Sequence, residues 1–186
     1  MTEQQPYTVV REESSFQVRR YPEHVVAEVT VRADFDAAGN TAFRALFGYI
    51  SGANAAGGKV AMTAPVVQAP VSQEIAMAAP VVQTAGQDAG SHVVAFVLPS
   101  TFTEATAPAP TSPEVSLRTV PEALVAATTY SGRWTRARYD ERCEELIAAL
   151  AEASITTLSA PRFARFDPPY KPWFLRRNEV LIDVAG

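Results

Sequence analysis

The sequence predicts an α+β fold of two βαβββ-like halves, in which a pseudo-symmetric sheet or barrel carries two helices. Three observations predict it. The run HVVAEVTVR at 24–32 alternates apolar and polar residues with a period of two, the pattern of a half-buried strand. Apolar residues at Phe43, Leu46, Phe47 and Ile50, and again at Tyr139, Cys143, Leu146, Ile147 and Leu150, recur at helical spacing. Each helical stretch is flanked by short extended runs, so the order strands, helix, strands occurs twice. A chain of 186 residues fits one domain, residues 1–186.

Taken along the chain, 6–10 and 16–20 read as short strands. In 24–32, Val25, Ala27, Val29 and Val31 share one face, and His24, Glu28, Thr30 and Arg32 the other. Val26 breaks the alternation and is expected in a second apolar layer. The first helix is predicted over 37–50, with Asp36 as its N-cap and Gly52 and the Gly57–Gly58 pair ending it. Two closely similar segments follow, KVAMTAPVVQ at 59–68 and EIAMAAPVVQ at 74–83, identical at seven of ten positions. They read as adjacent extended segments around a turn near 69–73. Pro65 and Pro80 cannot donate ladder hydrogen bonds and so mark edges or bulges. A turn at 86–91 leads into a strand at 92–98. The Pro-, Thr- and Ala-rich stretch 101–115 is a predicted loop. Strands at 115–120 and 124–130, the second helix within 135–153, and extended runs at 161–166 and 179–184 complete the chain.

Composition narrows the function. Sixteen basic against 20 acidic residues give a net charge of −4, which excludes a globally basic nucleic-acid binder. A single cysteine, Cys143, excludes an intrachain disulfide and thiolate metal clusters. The N-terminus carries Glu3 and no apolar core of a signal peptide, and no run approaches the roughly 20 apolar residues of a membrane helix. A cytoplasmic protein without membrane or nucleic-acid partners is expected. No GxSxG, Gly-rich phosphate loop or HExxH motif is present, so a non-enzymatic role is expected.

Several unusual blocks occur together and in order: FQVRRYPEHVVAEV at 16–29, DFDAAGNTAFRALFGYISGAN at 34–54, KVAMTAPV at 59–66, IAMAAPV at 75–81, FVLPS at 96–100, SGRW at 131–134, PRFARFDPP at 161–169 and FLRRNEV at 174–180. In these blocks, spread over most of 7–184, the chain resembles the SOUL haem-binding protein family. The resemblance implies a distorted, largely antiparallel β-barrel or curved sheet with two packed helices, similar also to the effector-binding domains of bacterial transcription regulators. It implies haem or a related tetrapyrrole as ligand. Fold follows from such membership more firmly than function does.

A tetrapyrrole needs a large apolar contact and cations at the rim for its propionates. Arg19, Arg20, Lys59, Arg176 and Arg177 are the candidate carboxylate partners, with a solvated charged face as the ordinary alternative. Met62 and Met77 occupy equivalent positions in the two similar segments and suit irregular apolar gaps; core packing is their ordinary role. Trp173 and Trp134 are candidates to stack on a ring system, and 168–174 to form a stiff apolar flap. His24 is the candidate haem-iron ligand. Some members of the family use a histidine in the segment corresponding to Val18–Tyr21, and here Arg20 stands in that place. Affinity from apolar burial with arginines at the rim is therefore the expected mode. A different flat apolar ligand, or a protein partner docking on the 101–113 loop, are the other readings.

Overall fold

The structure, a computed structural model, describes residues 3–70, 90–167 and 170–186. Along the chain run β1 (Glu3–Gln4), β2 (Thr8–Glu12), β3 (Gln17–Tyr21), β4 (His24–Arg32), α1 (Phe35–Ile50), β5 (Thr63–Ala64), β6 (Val66–Pro70), β7 (Ser91–Val97), β8 (Ser116–Val120), β9 (Ala123–Ser131), α2 (Arg136–Glu152), β10 (Arg162–Arg165) and β11 (Arg177–Asp183). A 3-10 turn, Trp173–Leu175, lies between the last two strands. The segment 74–83, with Met77 and Pro80, lies outside the described residues. In its counterpart at 59–68, Pro65 separates β5 from β6, as a residue without a backbone donor does.

Among the described residues, nine strands form one curled, antiparallel half-barrel in the order β2-β3-β9-β11-β10-β6-β7-β4-β8. From β3 to β8 this order maps onto itself when the halves are exchanged: β3 corresponds to β8, β4 to β9, β6 to β10 and β7 to β11. The pseudo-twofold axis therefore passes between β6 and β10, where Ala164 pairs with Val67. The leading strand of each half crosses over. β3 pairs with β9 of the second half, and β8 with β4 of the first. This exchange interlocks the halves, and local periodicity carries no trace of it.

Both helices pack on one face of the sheet. Val25, Ala27 and Val29 of β4 meet Ala42 and Leu46 of α1, with Val94 and Phe96 of β7. In the second half Phe163, Val180 and Ile182 meet Tyr139, Cys143, Leu146 and Leu150 of α2. Val26 does lie in a second layer, buried with Ala95 and Val97 on the face away from the helices.

Two sequence expectations about the helices are corrected. Phe43 and Phe47, assigned to the buried stripe of α1, are 39% and 48% exposed and stack on each other at 5.3 Å; Ile147 of α2 is exposed as well. The buried face of α1 runs instead through Ala38, Ala42, Leu46, Tyr49 and Ile50. Small side chains at 38 and 42 let the helix approach the sheet closely, and two phenylalanines on the same line would hold it off. The N-cap is Asp34, in extended conformation, rather than Asp36. Asp36 sits in the first turn and accepts a hydrogen bond from the Arg136 backbone N–H at 2.8 Å, tying the starts of the two helices together.

Candidate functional site

The structure gathers four of the residues singled out from sequence: Trp173, Arg176 and Arg177 on the connection between β10 and β11, and Trp134 beside them against Arg176. It disperses the others. Arg20 points outward and pairs with Glu122 at 3.0 Å. Lys59 is exposed on the loop after α1. Met62 is half-buried against the core under α1. His24 stands on β4, which β6 and β7 separate from β10 in the sheet.

The β10–β11 connection is held at its base by one carboxylate. Asp167 Oδ2 accepts the Arg177 backbone N–H at 2.5 Å, and Oδ1 accepts Lys171 Nζ at 2.7 Å. Burial works against this carboxylate, but the two donors outweigh it and hold its pKa below the ordinary aspartate range. Arg176 Nε donates to the Lys171 carbonyl at 2.8 Å, closing the loop on itself. The short 3-10 turn then leaves its side chains no core to enter. Tyr170, Trp173, Phe174 and Leu175 are 87%, 48%, 58% and 56% exposed. Four large apolar side chains within six residues form a patch of the kind that marks binding surfaces. Sequence reasoning located this flap, Phe174 included, by its prolines and aromatics, but it missed Leu175 and Arg133. The guanidinium of Arg133 lies 5.4 Å from the Trp173 ring centre, and no periodicity signals that contact.

Under the flap, Trp134 is stacked by two guanidinia, Arg176 at 4.3 Å and Arg165 at 4.8 Å from its ring centre. Its Nε1 donates to Asn178 Oδ1 at 2.8 Å, which fixes the ring. Arg165 is buried, and among the described residues no carboxylate lies within salt-bridge distance of it. It donates to Gln68 Oε1 at 3.0 Å. Burial pushes its pKa down to about 10. The patch therefore sits over cationic ground.

On the sheet face away from the helices, Glu179 is fully buried and saturated. Its Oε2 accepts Arg19 NH1 at 2.8 Å; its Oε1 accepts Arg177 NH2 at 2.6 Å and Thr129 Oγ1 at 2.9 Å. Burial opposes the charge on Arg19, and the hydrogen bond and charge of Glu179 more than offset it, so its pKa lies above the ordinary arginine value. Arg19, next to the expected Arg20, is thus an internal ion-pair partner.

His24 Nδ1 donates to the Pro22 carbonyl at 2.8 Å, which leaves Nε2 as the free ring position. Burial lowers its pKa; the Pro22 contact works the other way, and Arg118 and Arg162 add to the lowering. A ring held in one tautomer by a backbone carbonyl is the usual arrangement of a metal-binding histidine. Among the described residues no group of three or more His, Cys, Asp or Glu side chains is placed to hold a bare metal ion. A cavity of about 210 Å³ lies between the first turns of α1 and α2, below the ~300–1,000 Å³ of sites that enclose drug-sized ligands.

Solved structures of similar shape cover nearly the whole chain. The C-terminal domain of EcmrR superposes with a TM-score of 0.66 at 10% identity, over 96% of this chain and 98% of that one. In an EcmrR–DNA complex the same likeness, also at a TM-score of 0.66 and 10% identity, spans 91% of this chain and 57% of that chain. A hydrolase from Listeria innocua gives 0.65 at 12% identity, over 93% of each chain. At such identities the likeness is one of fold. No curated protein sequence matches significantly. The sequence model described as SOUL heme-binding protein matches residues 2–183, and with that extent of agreement the chain belongs to the SOUL family.

Proposed function

We propose that this protein binds haem or a related tetrapyrrole without catalysing a reaction on it, and that the β10–β11 flap is where the macrocycle lies. The observation that carries this reading is the exposed cluster Tyr170, Trp173, Phe174 and Leu175, bordered by Arg133, Arg176 and Lys171. A flat, greasy dianion requires that combination: aromatic faces for the ring and cations for two carboxylates. The half-open cavity of about 210 Å³ between the helix starts is too small to hold it, which favours an open surface. Covering a half-exposed tryptophan contributes on the order of 1 kcal/mol, so affinity is spread over several side chains.

The test is a haem titration followed by absorbance. Saturable 1:1 binding is expected, weakened about five- to tenfold by Trp173→Ala and again by Arg133→Gln. Non-saturating uptake, or unchanged affinity in both variants, would remove the flap from the site. A second reading places the macrocycle against the other face of the sheet with iron on His24 Nε2, favoured by the anchored tautomer. His24→Ala separates the two. It leaves affinity intact if the flap is the site and abolishes the histidine-type Soret band if His24 is the ligand. The same titration with an iron-free porphyrin or an unrelated flat aromatic acid distinguishes a tetrapyrrole site from one for another flat apolar ligand.

A further inference from the structure

The cavity between the two helix starts lies apart from the flap and is built for something smaller. Its walls include Phe35, Tyr139, His92 and Cys143, and Arg136 and Asp140 line it as well. Phe35 and Tyr139 are stacked 4.8 Å apart at 24°, and His92 meets Phe35 edge-on at 6.1 Å. These three rings pack on one another and together form an aromatic wall of the cavity.

His92 supplies the specific polar feature. It is 8% exposed, so it is buried beyond nine-tenths. Its Nδ1 faces the Ala33 carbonyl at 3.0 Å, and since a carbonyl only accepts, Nδ1 carries the proton. In the neutral ring Nε2 is then a lone-pair acceptor, and among the described residues nothing donates to it. A ligand's N–H or O–H entering the cavity would supply the donor for that lone pair.

Charge narrows the ligand further. Arg136 Nε donates to both carboxylate oxygens of Asp140, at 2.7 and 2.8 Å, so the two charged groups lining the cavity cancel. Burial pushes the Cys143 thiol up to about 11, which leaves it uncharged at neutral pH. A neutral guest fits such a lining. An apolar cavity of about 150 Å³ admits benzene, and about 210 Å³ has room for a second fused ring.

We infer that this cavity binds a neutral, planar aromatic molecule of one or two rings whose N–H or O–H donates to His92 Nε2. The inference goes beyond the tetrapyrrole reading and does not depend on it.

Cys143 is the only thiol in the chain and lines the cavity, so its alkylation reports occupancy. With the full-length protein, indole should slow the reaction of Cys143 with iodoacetamide at least tenfold at saturation, with the same dissociation constant as calorimetry. 1-Methylindole has the same ring system but no donor, and should bind at least tenfold more weakly. In His92→Phe that difference should collapse to less than threefold. Absence of saturable protection by indole, or equal binding of the two indoles to the unmodified protein, overturns the inference. The comparison of the two indoles needs no substitution, so it stands even if His92→Phe fails to fold.

Discussion

The guanidinium of Arg165 occupies the space that a side chain at Gly39 would need. A Cβ at position 39 would stand 2.5 Å from NH1 and 2.8 Å from Cζ of Arg165. Arg165 has little room to yield, with its guanidinium over Trp134 and Phe163 and hydrogen-bonded to Gln68. Helix α1 comes this close to β10 because residue 39 has no side chain.

Gly39→Ala should therefore destabilise the protein, although alanine is the better helix former by about 1 kcal/mol. Overpacking costs about 1–3 kcal/mol, so the expected net loss is about 1 kcal/mol, read from the urea midpoint at unchanged m-value. Gly48→Ala is the control. Its nearest neighbour would be the Ala53 Cβ at 3.9 Å, and stability should rise by up to about 1 kcal/mol. In an Arg165→Met background, Gly39→Ala should lose most of its penalty.

The buried Glu179 carboxylate holds Arg19, whose side chain is 3% exposed. Glu179→Gln leaves that guanidinium without a counter-charge. Breaking a buried pair of this kind costs about 3–5 kcal/mol. Unfolding in urea should show a loss near 3 kcal/mol; a loss below about 1 kcal/mol would mean that water reaches the pair.

His24 titrates below the ordinary histidine value of 6.5 because burial disfavours its charged form. Between its lowered folded pKa and 6.5 the unfolded chain binds the proton and the folded chain does not. The contribution of His24 to stability is thus complete above pH 6.5 and is lost as pH falls through the folded pKa. Denaturation followed from pH 7.5 to 5 should show this fall, and His24→Gln should flatten it. By NMR the His24 ring should titrate below 6.5 and move upward in Arg118→Gln and Arg162→Gln.

Asp167 ties both ends of the flap through Lys171 and the Arg177 backbone N–H. Asp167→Ala should raise amide exchange in 171–177 at least tenfold and weaken tetrapyrrole binding, while the global unfolding midpoint moves little. Uniform loosening of the whole protein would instead make Asp167 a support of the core. Because its folded pKa is depressed, flap anchoring is present above the ordinary aspartate pKa and is lost as pH falls through the lowered value.

The helices and most strands were legible locally, since burial of one face imposes a period on the residues that form it. The strand His24–Arg32 and even the second-layer position of Val26 follow from that rule. The rule misplaced Phe43 and Phe47, because hydrophobicity alone does not say which of two apolar lines on a helix fits against a sheet. The site was less legible. Prolines and aromatics pointed to the flap, but Arg20, Lys59 and Met62 proved to be scattered, and Arg133 and the buried Arg165 carried no local signal.

The sequence by itself determined that two strand–helix–strand units are present, that one thiol and two histidines limit the chemistry, and that an apolar flap precedes the last strand. Tertiary structure alone decided that β3 and β8 exchange halves, that Arg19 rather than Arg20 is turned inward against Glu179, and that His92, Phe35, Tyr139 and Cys143 line one half-open cavity. The physical reason is common to all three. Period and composition act over a few neighbouring residues, whereas strand exchange, ion pairing and cavity walls join residues tens to more than a hundred positions apart, and their energies exist only once the chain has closed on itself.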